Sequence, residues 1–137
     1  MDKPSLTMAQ QIAQAASVFE NERTGVTPKS VTVVQSEGTL VITLHAALSP
    51  AERAVFKTAA GAAQVQELHR QLFANASETL RQEIKRITGI EVREATAEVE
   101  SSTGTVVAVF TTGTVVQVYL LAHGIPAAEW SGTAPGE

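Results

Sequence analysis

Leu48-Ser49-Pro50-Ala51-Glu52 opens the stretch 48–89, LSPAERAVFKTAAGAAQVQELHRQLFANASETLRQEIKRITG, on which the fold class turns. Ser49 is a helix-capping residue, Pro50 takes the first helical position where its missing N–H costs nothing, and Glu52 completes a capping box. Thr88-Gly89 closes the stretch, with Gly89 suited to the left-handed turn that ends a helix. Inside it, Val65, Leu68, Leu72, Ala76, Leu80, Ile84 and Ile87 recur at spacings of three or four, which predicts a helix with one buried face. Thr58-Ala59-Ala60-Gly61 weakens the pattern ahead of that row, so a kink or break is expected near Gly61. Residues 62–87 would then extend about 39 Å at the standard rise, beyond the ~30 Å expected of a small domain. The overhanging end needs cover, and a symmetric second copy would supply it, so a homodimer is expected.

Upstream of this block, residues 7–22 read as a first helix. Thr7 and Gln10 have capping-box spacing, Met8, Ile12, Ala15 or Ala16, and Phe19 share one face, and Gln10, Gln11, Gln14, Glu20 and Glu22 take the other. Val31–Gln35 and Thr39–His45 alternate as strands around the turn Ser36-Glu37-Gly38, with Leu40, Ile42 and Leu44 facing the core. Downstream, the apolar parity runs 90, 92 and then 95, 97, 99, a one-residue slip that predicts a β-bulge near Arg93–Ala95. Thr105–Phe110 reads as a return strand, and Thr114–Leu121 as a fifth strand with a short helix as the alternative. The expected fold is α+β: a two-layer sandwich in the order α-β-β-α-α-β-β(-β), with an antiparallel sheet packed against one long helix. One domain over residues 1–130 and a frayed tail at 131–137 complete it.

Composition narrows the function classes. A chain of 137 residues with 44% hydrophobic content can bury a core without metal or disulfide help, and its aromatic content of 4% makes that core aliphatic. Cysteine is absent, which removes disulfides, thiolate metal sites and cysteine nucleophiles. A formal charge of −4 argues against a general nucleic-acid binder. Met1-Asp2-Lys3-Pro4 leads into a polar helix rather than the apolar run of a signal peptide, and the expected location is the cytoplasm. Ser101–Ala128 carries no charged residue and is long enough to span a bilayer, but Thr111-Thr112-Gly113-Thr114 interrupts short β-branched runs. A strand–turn–strand explains it better than membrane insertion.

No phosphate loop, dinucleotide fingerprint, zinc-protease motif or nucleophile elbow is present. His45, His69 and His123 fall on a strand, the long helix and a loop without metal-ligand spacing, so neither a metal nor a cofactor is expected. Glu91, Glu94, Glu98 and Glu100 crowd one strand, where charge also keeps an edge from aggregating. Arg70, mid-helix with Glu67 one turn earlier and His69 adjacent, is the candidate contact for an anion or a partner carboxylate. Glu52 and His69 are the other candidate ligand or partner-binding residues. No catalytic constellation emerges, and an enzyme is not expected.

These landmarks resemble the MpsC family, small bacterial proteins named for a sodium-translocating, membrane-potential-generating system. The resemblance runs over roughly residues 9–110. It is carried by Gly25 and Pro28 before the first strand, Leu48-Ser49-Pro50-Ala51-Glu52, Gly61, Arg70, Thr88-Gly89 with Val92, and Phe110. Similar sequences tend to have an aromatic-Gly-Arg-Gly-Pro connector where this chain has Thr24-Gly25-Val26-Thr27-Pro28, lacking the aromatic, the Arg and the second Gly. The resemblance implies a non-enzymatic accessory or regulatory protein linked to membrane ion or inorganic-carbon transport, with a membrane transport protein as partner. A small-molecule or anion sensor is the alternative.

Overall fold

The computed structural model describes residues 6–99 and 114–131. Along these, α1 (Met8–Thr24) leads into the hairpin β1 (Ser30–Ser36) and β2 (Thr39–His45). The helices α2 (Pro50–Val55) and α3 (Ala59–Thr88) follow, then β3 (Val92–Val99), β4 (Val115–Leu121) and α4 (Ala127–Ser131). The strands form one antiparallel sheet in the order β1-β2-β4-β3, so the fold is α+β as expected. The stretch 114–121 is a strand and not a helix, and it lies in the middle of the sheet between β2 and β3. The return strand expected at 105–110 lies outside the described residues, as does the tail from 132; Ser131 still belongs to α4.

Local chemistry sets the boundaries. Thr7 and Gln10 close a capping box on α1, and Ser49 and Glu52 close one on α2. The β1–β2 turn is two residues, Glu37 and Gly38, both at positive φ (51° and 85°), the primed turn that matches the twist of paired strands. The bulge is real: Val92 pairs with Leu121 and Glu94 with Leu120, leaving Arg93 as the extra residue. Arg81 of α3 reaches the carbonyls beside it, donating through Nη2 to Val92 O at 3.2 Å and Arg93 O at 3.4 Å.

All inward positions lie on one side of the sheet. Leu40, Ile42 and Leu44 on β2 and Val115, Tyr119 and Leu121 on β4 are buried against α1 and α3. The break in the helical block falls earlier than expected, at Phe56–Thr58 rather than at Gly61. Thr58 caps α3, its hydroxyl accepting from Gly61 N at 2.9 Å. Gly61 is required for another reason: a Cβ there would lie 1.8 Å from the carbonyl oxygen of Val55. The helices α2 and α3 meet at this point with no room for a side chain.

The buried face of α3 keeps Val65, Leu80 and Ile84 of the expected row but departs from it in the middle of the helix. Ala62, Val65, His69, Phe73, Leu80 and Ile84 are buried, whereas Leu68 is 45% exposed and Leu72 is half-buried. The helix has 30 residues, about 45 Å at the standard rise. It buries Ala62, Val65, His69, Phe73, Leu80 and Ile84 within this one chain, and its length exceeds the ~30 Å expected of a small domain. Gly61→Ala is expected to lower stability by about 1–3 kcal/mol, because backbone rather than a flexible side chain must move aside. Urea unfolding of variant and parent measures the difference.

Candidate functional site: a buried acid–base cluster

The polar chemistry of this chain is collected where the last turn of α1, the start of α2, the first half of α3 and the centre of β4 meet. Glu52 is the hinge of it. Its Oε1 accepts the Ser49 backbone N–H at 2.9 Å to complete the α2 cap, and its Oε2 accepts from His69 Nε2 at 2.8 Å. A carboxylate oxygen only accepts, so Nε2 of His69 is the donor in this bond and Nδ1 is the ring's other nitrogen. His69 is 1% exposed, and its Nδ1 is buried without a hydrogen-bond partner in the chain. Burial pushes the Glu52 carboxyl up, but the Ser49 N–H and the His69 ring more than offset it and hold the group below the usual carboxylate range.

Glu20 and Arg23, on the last turns of α1, form the second pair. Periodicity puts Glu20 on the polar face of α1; in the structure it is fully buried, because α1 lies between α3 and the sheet hairpin at this level. Arg23 donates through Nη2 to Glu20 Oε1, and its guanidinium lies over the Phe19 ring, 5.0 Å from the centroid. Burial raises the Glu20 carboxyl above its ordinary value, outweighing the attraction of Arg23 and of His69. Glu20 Oε2 and Arg23 Nε and Nη1 are buried without partners.

The sheet contributes Gln117 and Tyr119. They stand two apart on β4, both facing inward, and the Tyr119 hydroxyl donates to Gln117 Oε1 at 2.8 Å. Burial drives the Tyr119 hydroxyl far above its usual value, so it remains a neutral donor. Phe73, one helical turn after His69, packs its ring on Tyr119 with centroids 5.9 Å apart. The charges of Glu20 and Arg23 act on Tyr119, and those of His69 and Glu52 act on Glu20. The two pairs and the sheet residues are one electrostatic unit.

Of the residues singled out from sequence, Glu52 and His69 come together. Arg70 does not join them: it lies on the exposed flank of α3, with Nη1 3.2 Å from Glu67 Oε1. Glu91 pairs with Lys85, and Glu94 and Glu98 stand in register with Leu120 and Val116. Glu100 lies outside the described residues. His45 shares a hydrogen bond of 3.0 Å with Thr32 across the hairpin, and His123 contacts Gly124 O. Sequence reasoning missed Glu20, Arg23, Gln117 and Tyr119. Only the Glu20–Arg23 spacing of three at the end of an amphipathic helix hinted at a pair. Among the described residues no group of three or more His, Asp or Glu side chains is arranged to hold a metal ion. A groove of about 630 Å³ also runs between α1 and the second half of α3, floored by Ala15, Phe19 and Leu80.

A family model described as a Na+-translocating membrane potential-generating system (MpsC) matches residues 5–114. The chain belongs to the MpsC family. No curated protein and no solved structure matches the chain. The MpsC match takes in Glu20, Arg23, Glu52 and His69 but stops before β4, so Gln117 and Tyr119 lie outside it.

The two carboxylates give opposite pH dependences. Glu52, lowered in the fold, contributes stability that is present above its unfolded pKa and lost as pH falls through the folded value. Glu20, raised in the fold, contributes stability that is present below its unfolded pKa and lost as pH rises through the folded value. Relative to the parent, Glu52→Gln is therefore expected to lose ground as pH rises through the ordinary carboxylate range, by roughly 1–3 kcal/mol at neutral pH. Glu20→Gln is expected to gain ground over the same rise. Urea unfolding at a series of pH values reads both slopes.

Proposed function

We propose that this MpsC-family chain is a non-enzymatic accessory or regulatory protein of a membrane system that moves sodium or inorganic carbon, acting as a homodimer in the cytoplasm. The observation that carries the reading is the family match over residues 5–114. Two features support it. Among the described residues no helix is long and apolar enough to cross a membrane. Among the described residues, the buried polar side chains bond α2 to α3 through Glu52 and His69 and tie the end of α1 to itself through Glu20 and Arg23. Val18, Val34, Val55 and Leu68 are exposed apolar residues that protein contacts would cover. Affinity capture from membrane extracts of the native host is expected to recover an integral membrane ion transporter. Deleting the chain is expected to lower sodium-dependent membrane potential, read with a voltage-sensitive dye. Unchanged potential together with capture of soluble proteins alone would remove the accessory reading.

A second reading, a small-molecule or anion sensor, is favoured by Arg23. Its Nε and Nη1 are buried donors without partners, in the cluster that also holds Gln117 Nε2. A ligand that binds only the folded chain raises its apparent stability. In thermal unfolding with bicarbonate, phosphate, chloride and nucleotides, one anion is expected to raise the midpoint of the parent and leave Arg23→Met unmoved. No shift across the panel would dismiss the sensor.

A further inference from the structure

The two edges of the sheet are not alike. Among the described residues the sheet ends at β3 on one side, and that strand carries the bulge at Arg93 and charged residues at 93, 94 and 98, the devices that keep an edge strand from pairing with another chain. The other edge, β1, has none of them. Ser30-Val31-Thr32-Val33-Val34-Gln35-Ser36 holds no charge and no proline, and it pairs with β2 in unbroken register from Ser30 to Ser36. Among the described residues no strand lies on its far side.

The turn fixes which polar groups face outward. In a two-residue primed hairpin the residues flanking the turn exchange both backbone hydrogen bonds, and bonded pairs then alternate along the ladder. Ser36, Val34, Thr32 and Ser30 therefore direct their N–H and C=O groups to β2. Val31, Val33 and Gln35 direct theirs to the open edge, and Val33 is the middle residue of the strand. An antiparallel copy of the same strand, placed about a two-fold axis at Val33, sets Val33 against Val33, Val31 against Gln35 and Thr32 against Val34. Every outward group in that arrangement meets a bonded partner. Just beyond the strand ends, Lys29, whose N–H turns to His45 O, and Glu37, in the turn, are both exposed, and the two-fold brings Lys29 of one copy to the end of the ladder that carries Glu37 of the other. A one-step slip loses both the bonding alternation and the charge match.

We propose that β1 is a self-association edge: two copies join β1 to β1, antiparallel about Val33, into one eight-stranded sheet, with Lys29 of each brought to the end of the ladder that carries Glu37 of the other. This rests on the homodimer reading above and names its surface. A second copy is the occupant because the strand is complementary to itself in both hydrogen bonding and charge. It also brings the exposed Val34 and Thr32 of each copy side by side as a β-branched pair on the open face of the sheet.

Light scattering over a dilution series tests it with four variants of the full chain. Lys29→Glu and Glu37→Lys, made singly, each bring like charges together at both ends of the ladder and are expected to weaken association on the order of tenfold. The double reversal is expected to restore it. Val33→Pro removes the outward N–H at the axis without touching the β2 ladder, and is expected to give a monomer with the parent's circular dichroism. The charge reversals, on exposed side chains, decide the matter should the proline variant unfold. A monomeric parent would overturn both the homodimer reading and this surface. A dimeric parent indifferent to the charge reversals and to their combination would overturn the β1 surface and leave the homodimer reading standing.

Discussion

Glu52 divides its two oxygens between two tasks, and the packing of the helix layer depends on the division. One oxygen closes the cap of α2 and the other holds the buried imidazole of His69 on α3. The first fixes where α2 starts; the second fixes the rotation of α3 about its own axis. With His69 turned inward, Phe73 follows one turn later onto Tyr119, and Leu80 and Ile84 continue the same stripe over the sheet. Gly61 allows no slack in this arrangement, since α2 backbone occupies the space a side chain would need.

The core around this pair is otherwise aliphatic. Aliphatic surfaces tolerate modest slips between helix and sheet, because the attraction given up in one register is partly regained in the next. A carboxylate on one helix that bonds an imidazole on another is not regained in the next register, because the lost hydrogen bond leaves a buried polar group unsatisfied. Because the Glu52–His69 pair bridges two helices, it gives α2 and α3 one preferred alignment, whereas Glu20 and Arg23 pair within α1. Burial raises Glu20, whereas the Ser49 N–H and the His69 ring lower Glu52, so the two carboxylates respond to pH in opposite senses.

Much of this was legible before the fold was known. Caps, turns and the bulge are local statements, and Thr7, Ser49, Gly38, Gly89 and the parity slip at Arg93 each carried its own signal. The ends of the α3 row, Val65 and then Leu80 and Ile84, were legible, but its middle was not. Two stripes at helical spacing compete along it: one through Leu68 and Leu72, the other through His69 and Phe73. Hydrophobicity alone prefers the leucines. The pairing of His69 with Glu52, 17 residues away in sequence, reverses that preference. Glu20 was hidden for a related reason, since a charged residue is read as solvent-facing until its partner and the elements packed around it are known. The pairing of β4 with both β2 and β3 is a long-range fact that no short window contains.

The central position of β4 gives the limit of the family match a physical meaning. Similarity to MpsC ends at residue 114, one position before β4 begins. Yet β2 and β3 are joined only through β4 among the described residues. A fragment cut at the edge of the similarity would therefore lose the keystone of its sheet: two ladders would open at once, and Tyr119 would vanish from beneath Phe73.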